Sequence, residues 1–199
     1  GTQGIRSISA STFSPVQSNG WFRIGFRDNQ DQQRNMHANV VDEDFISTLG
    51  IQVVQGRNFS DENPSDERRA MIVNQSLVDY FGWENPIGER LPGPDFIDHE
   101  VIGVVEDFHY ESLHTEIDPL AMTINPEIIF SGINNIMLSN SPSPRFSFKL
   151  ETGDLSSTMA SIQNAWETVS PGTPFNYTFV DQSLDAQYRQ EQRLSRIVT

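Results

Sequence analysis

The strongest constraint on this chain is a change of hydrophobic period near its C-terminal end. Phe146, Phe148 and Leu150 alternate with Ser147 and Lys149, the repeat of a strand with one covered face. The repeat then lengthens: Leu155, Met159, Ile162, Trp166 and Val169 step by four, three, four and three, which sets all five on one stripe of a helix. Asp154 stands where an N-cap belongs, and Pro171-Gly172-Thr173-Pro174 stops the helix. Phe175, Tyr177 and Phe179 alternate again. The pattern predicts strand, helix, strand. Burying each stripe residue contributes roughly 1.5–3 kcal/mol, so this helix face is expected to dock on another element.

The first third follows a related logic. Ile5 and Ile8 belong to an opening strand, Phe22, Ile24 and Phe26 alternate, and so do Met36, Ala38 and Val40. Between the last two, Asp28-Asn29-Gln30-Asp31 reads as a hairpin turn; it lacks the glycine and distal glutamate of an EF-hand calcium loop. A short helix follows, with Asp42, Glu43 and Asp44 at its N-terminal dipole, Phe45, Ile46 and Leu49 facing inward, and Gly50 at its end. Ile51 to Val54 returns as a strand, closed by Gly56-Arg57.

The middle reads as a separate lobe. Polar and charged residues from Ser60 to Arg69 form a link, Met71 to Val73 a strand, and Asn74 caps a helix carrying Leu77, Val78 and Phe81 before Gly82. Turns follow at Pro86, Gly88, Pro92, Gly93 and Pro94, then an apolar strand from Val101 to Val105. Residues 125–144 are rich in Asn, Ser and Pro and read as a long loop or irregular hairpin. Their apolar members, Ile128, Ile129, Phe130, Ile133 and Leu138, are the candidate partner or substrate contact. From Asp181 to Thr199 a polar helix with zero net charge runs to the end without a stop signal, as expected of a chain that continues.

Composition excludes several functions. A formal charge of −14, from 27 acids against 13 bases, disfavours nucleic acid and anionic lipid. No cysteine is present, which removes disulfides, thiolate nucleophiles and Cys-based metal sites. Glu106-Asp107-Phe108-His109, with His114, is the one acid–base or metal candidate; the two histidines are five apart, poor spacing for one helix face, and Asp107 with His109 reads better as bracing a strand end. His37 and His99 read as ordinary surface or strand residues. No catalytic serine, zinc or phosphate-loop motif occurs, so no catalytic, cofactor or metal residue is assigned and the chain is not read as an enzyme.

Several segments in order resemble the MacB-like periplasmic core domain of FtsX-like ABC transporter permeases. They are Val41-Asp42-Glu43-Asp44-Phe45, Thr48-Leu49-Gly50-Ile51, Gly56-Arg57-Asn58-Phe59-Ser60, Ile72-Val73-Asn74-Gln75 and Asn85-Pro86-Ile87-Gly88-Glu89. Val101-Ile102-Gly103-Val104-Val105, Asp107-Phe108-His109, Ser112-Leu113-His114 and Ile117-Asp118-Pro119 follow. Phe179-Val180-Asp181, through Tyr188 and Glu191 to Arg193-Leu194, is similar to the lead-in to the permease's second membrane helix. The match is with the long Bacteroidetes-type permeases, and within them with the second of two such domains.

The resemblance implies an α+β fold of two lobes. A porter-like lobe containing a βαβ unit takes residues 1–62 and 144–180, a smaller inserted Sabre-like α/β lobe takes 63–143, and 181–199 is a stalk helix leading to a membrane helix. It implies an inner-membrane protein with this domain in the periplasm, a separate ABC ATPase working through the membrane portion, a permease dimer, and a periplasmic partner or a lipoprotein or peptide cargo. The implied work is transmission of ATP-driven movement across the membrane. The alternative is a passive extracytoplasmic module that binds a substrate or protein, with residues 128–138 as its contact. An enzyme would need Asp107, His109 and His114 to converge in a cleft.

Overall fold

The structure, a computed structural model, describes residues 4–13, 22–94, 96–109, 116–131, 144–151, 153–180 and 182. It is α+β, and its residues group into two compact units: residues 9–147, and residues 1–8 with 148–199. The chain passes between the units within β1 (Ile5–Ser11) and again within β8 (Arg145–Leu150), which pair in a two-stranded sheet.

The larger unit is built on one six-stranded sheet. Its strands are β2 (Phe22–Arg27), β3 (Gln33–Val40), β4 (Val53–Gly56), β5 (Ala70–Asn74), β6 (Glu100–Val105) and β7 (Leu120–Thr123), in the spatial order β2-β3-β7-β5-β6-β4. β2 and β3 form the expected hairpin, with Asp28 Oδ1 accepting from the Gln30 and Gln32 N–H groups at 2.9 Å. β3 runs parallel to β7, and β5 parallel to β6. Strands from residues 22–56 and from residues 70–123 therefore share one sheet. Composition along the chain marked a polar link at 60–69; pairing across that link was invisible to it.

The three central strands explain the apolar runs. In β5, Met71 and Val73 join the core on one face while Ala70 and Ile72 join the core on the other. In β7, Ala121 faces the first core, with Leu120 and Met122 facing the second. Successive side chains point to opposite faces, so a strand covered on both sides needs apolar residues at every position and shows no alternation. A register shift between Met71 and Ile72, opposite Val101 and Gly103, leaves Ile102 as the extra residue of β6. At the outer edge, Gly56 of β4 pairs with Gly103 of β6. A Cβ on Gly103 would stand 2.2 Å from the Arg57 carbonyl oxygen, and one on Gly56, whose φ is 70°, equally close to the Ile102 carbonyl oxygen.

Helices cover both faces. α1 (Phe45–Leu49) buries Phe45 and Ile46, and α3 (Gln75–Phe81) buries Leu77 and Val78; Gly50 and Gly82 end them in the left-handed conformation. Asn74 caps α3 as expected, and does more: fully buried, it accepts from both Leu77 N–H and Leu120 N–H and donates to the Asp118 carbonyl, tying β5 to β7. The link at 60–69 contains a short helix, α2 (Asp66–Arg69), whose Asp66 receives both Arg57 guanidinium nitrogens at 2.6 and 2.8 Å. Residues 126–130, read as irregular, form α4 (Pro126–Phe130), capped by the Asn125 side chain on Glu127 N–H.

The smaller unit holds α5 (Leu155–Val169), capped by Asp154 on Ser157 N–H. Its apolar stripe is only partly covered. Ile162 and Thr158 are buried, whereas Leu155 is 44% and Val169 77% exposed, so the docking expected of the full stripe is absent among the described residues. Phe175, Tyr177 and Phe179 follow in an extended segment that forms no strand, correcting the expected closing strand of the βαβ unit. The aromatic rings instead pack on one another in series: Trp166–Phe175 at 6.5 Å, Phe175–Tyr177 at 5.4 Å and Tyr177–Phe179 at 5.5 Å. The proposed stalk, 181–199, lies almost wholly outside the described residues.

Candidate functional site

The acid–histidine cluster resolves into a structural brace. Asp107, just beyond β6, accepts from Ser76 N–H at 2.9 Å and from Ser76 Oγ–H at 2.8 Å. Both carboxylate oxygens are thereby spent on the first turn of α3, where the unpaired N–H groups of a helix start need an acceptor. His109 is exposed, and His114 lies outside the described residues. Among the described residues no group of three His, Asp or Glu side chains is placed to hold a metal ion.

Other acidic side chains are engaged as well. Asp28 Oδ2 accepts from Arg34 Nε at 2.7 Å, and this bond holds the Asp28 carboxyl below the usual aspartate range. In Asp42-Glu43-Asp44, the Asp42 side chain accepts from Ala10 N–H, and Asp44, just before α1, makes no side-chain cap hydrogen bond. Burial pushes the Asp42 carboxyl up. For Asp66, burial raises the carboxyl, but the hydrogen bonds from Arg57 and from Ser60 N–H outweigh it and leave the group below its ordinary value. Asp28 and Asp66 thus fasten a turn and a link.

Of the candidate contact residues, Ile128 and Ile129 are 0% exposed and belong to the core under the sheet, and Phe130 is partly buried with its ring edge-on to Phe22 at 5.0 Å. Ile128 and Ile129 have no free surface in this arrangement. Ile133 and Leu138 lie outside the described residues. A short helix beside a sheet needs apolar residues for the same reason a docking patch does, and composition does not tell the two apart.

The larger unit has one feature that sequence reasoning did not reach. An open groove of about 610 Å³ is lined by Asn29, Trp83, Arg90, Leu91, Phe96 and His99, among others. His99, read from sequence as an ordinary surface or strand residue, is 2% exposed. Its Nε2 accepts from Leu91 N–H at 2.8 Å and its Nδ1 lies 2.7 Å from the Ile97 carbonyl oxygen. Burial lowers its proton affinity. No period or motif surrounds His99, so nothing in the sequence pointed to it.

Comparison with known proteins places this architecture. No curated protein sequence matches the chain. Among solved structures, the periplasmic region of MacB from Actinobacillus actinomycetemcomitans superposes with a TM-score of 0.53 at 14% identity, over 84% of this chain and 68% of that one. A permease-protein domain from Porphyromonas gingivalis gives 0.53 at 15% identity, over 92% and 84%. The extracellular domain of the noncanonic ABC-type transporter YknZ from Gram-positive bacteria gives 0.50 at 21% identity, over 84% and 79%. These likenesses establish the fold. The sequence itself matches the family described as MacB-like periplasmic core domain over residues 4–165, which is most of the chain; this protein belongs to that family of extracytoplasmic transporter domains.

Proposed function

We propose that this domain is the extracytoplasmic arm of an ABC transporter permease and passes ATP-driven movement of the membrane portion to a cargo or partner outside it. The observation that carries the reading is the family match across residues 4–165. What the domain is made of supports it. A lever needs a body that moves as one, and the larger unit has a sheet cored on both faces, with Asn74, Asp66 and Asp107 fastening its loops. In this reading a separate ABC ATPase drives the membrane portion, two permease copies face each other, and the cargo is a lipoprotein, a peptide or a periplasmic partner. The polar segment 181–199 is the stalk.

The absence of cysteine makes a direct test available. Ser47→Cys, on the exposed side of α1, would carry a spin label in the full permease, freed of other cysteines and assembled with its ATPase in membranes. The distance distribution between the two labels of a dimer should shift on ATP binding, and Gln190→Pro in the stalk should abolish the shift while ATP hydrolysis continues. A distribution that does not respond to ATP overturns the lever and leaves a passive binding module.

A further inference from the structure

We infer that His99 is a proton-operated latch: a second proton on its ring turns Nε2 from acceptor to donor, breaks the bond to Leu91 N–H, and frees the Leu91-Pro92-Gly93 turn from the groove wall. The geometry determines the starting state. Nε2 accepts from Leu91 N–H, so it carries no proton, and Nδ1 must carry the one that goes to the Ile97 carbonyl oxygen. The neutral ring thus uses both nitrogens, one in each role. A charged ring has two donors and no acceptor, and Nε2–H would face the Leu91 N–H head-on. With the ring 2% exposed, water has little access to relieve that clash while the turn stays closed.

What the latch holds is connected beyond itself. Leu91 belongs to the core beneath the sheet. The Pro92 carbonyl accepts from Asn29 N–H at 2.9 Å, joining the turn to the β2–β3 hairpin. Phe96 lies edge-on to the His99 ring at 5.8 Å and to Phe26 at 4.9 Å. Releasing Leu91 therefore loosens one wall of the groove and its tie to the hairpin. The charged groups around the ring are Arg90, which opposes a proton there, and Asp98, which favours one; Glu89 lines the same groove. Asp98 is already shared, 2.8 Å from Arg90 and 3.8 Å from Arg69, and Arg69 is held in turn by Glu100 at 2.7 Å. Asp98, the acid that favours a proton on the ring, is thus already engaged by two arginines.

The test is an NMR titration of the 199-residue chain from about pH 7.5 to about pH 4, a range that covers a histidine ring held below its ordinary value by burial. Ring nitrogen shifts report the tautomer and protonation of His99, and amide exchange corrected for intrinsic rate reports the turn. Leu91 and Asn29 amides should lose protection together, roughly tenfold per pH unit once the ring begins to charge, with the Leu77 amide, held by Asn74, unchanged. His99→Gln keeps an acceptor but does not titrate, so its Leu91 protection should show no such slope. A ring that stays neutral across the range, a charged ring with Leu91 still protected, or the same slope in His99→Gln overturns the latch. Should that variant fail to fold, the comparison of ring and amide in the unaltered chain decides by itself.

Discussion

The two units carry hydrophobic patterns of similar regularity and bury them very differently. α3 and α5 both have an N-cap that accepts a backbone N–H, and both carry an apolar stripe. In α3, Leu77 and Val78 disappear into the core; in α5, the stripe begins and ends in solvent at Leu155 and Val169. The difference lies in what stands opposite. α3 rests on a sheet whose strands come from well-separated parts of the chain, whereas α5 belongs to a unit whose described strands are only β1 and β8. A two-stranded sheet offers little surface to cover a helix. A periodic stripe states which face seeks burial. Whether that face is covered depends on strands supplied from elsewhere in the chain.

Leu77→Ala and Leu155→Ala put this contrast to its hardest trial. Chemical denaturation should show a loss of about 3 kcal/mol for Leu77→Ala, the usual cost of a cavity in a filled core, and under about 1 kcal/mol for Leu155→Ala. Equal losses would mean that α5 is covered as well as α3. Arg57→Ala sharpens the account of the larger unit, where polar fastenings supplement the core. Removing the guanidinium leaves Asp66 buried with only Ser60 N–H and should cost about 2 kcal/mol near neutral pH. The folded Asp66 carboxyl lies below its ordinary 3.8, so this contribution is whole above that value and fades as pH falls through the folded one. Acid denaturation curves of Arg57→Ala and the parent should accordingly converge at low pH. The N-cap of α5 contributes less than the Arg57–Asp66 pair: Asp154→Ala should cost about 1 kcal/mol, read by helical circular dichroism on thermal unfolding.

Local chemistry made much of this molecule legible in advance. Asn74 and Asp154 as caps, Gly50 and Gly82 as helix ends, the Asp28 turn and the alternating strands β2 and β3 all follow from short-range rules, and they stand where those rules put them. The misreadings share a different cause. β7 went unseen because Leu120-Ala121-Met122-Thr123 is four residues long and buried on both faces, which leaves no period to detect. α4 was hidden by the Asn-, Ser- and Pro-rich composition around it, although Asn125-Pro126 is itself a helix-start signal. β4 begins two residues later than expected, at Val53, because its limits are set by pairing with the bulged β6. The site was the least legible part. The residues singled out by chemistry, Asp107 and the acidic runs, serve as fasteners, and the buried His99 is defined by two backbone groups that no spacing rule connects to it.

The order of strands also says something about how this molecule comes into being. β2 and β3 can zip together as soon as both have been synthesised, but β3 then waits for its second neighbour, with His37 aligned opposite Leu120 and Val40 opposite Thr123. Until β7 arrives, β3 and β5 lack the strand that lies between them, and the nascent chain carries their apolar residues bare. Long-range pairing of this kind slows folding and prolongs exposure to aggregation. A chain of this design therefore has reason to remain attended by chaperones until its seventh strand is in place.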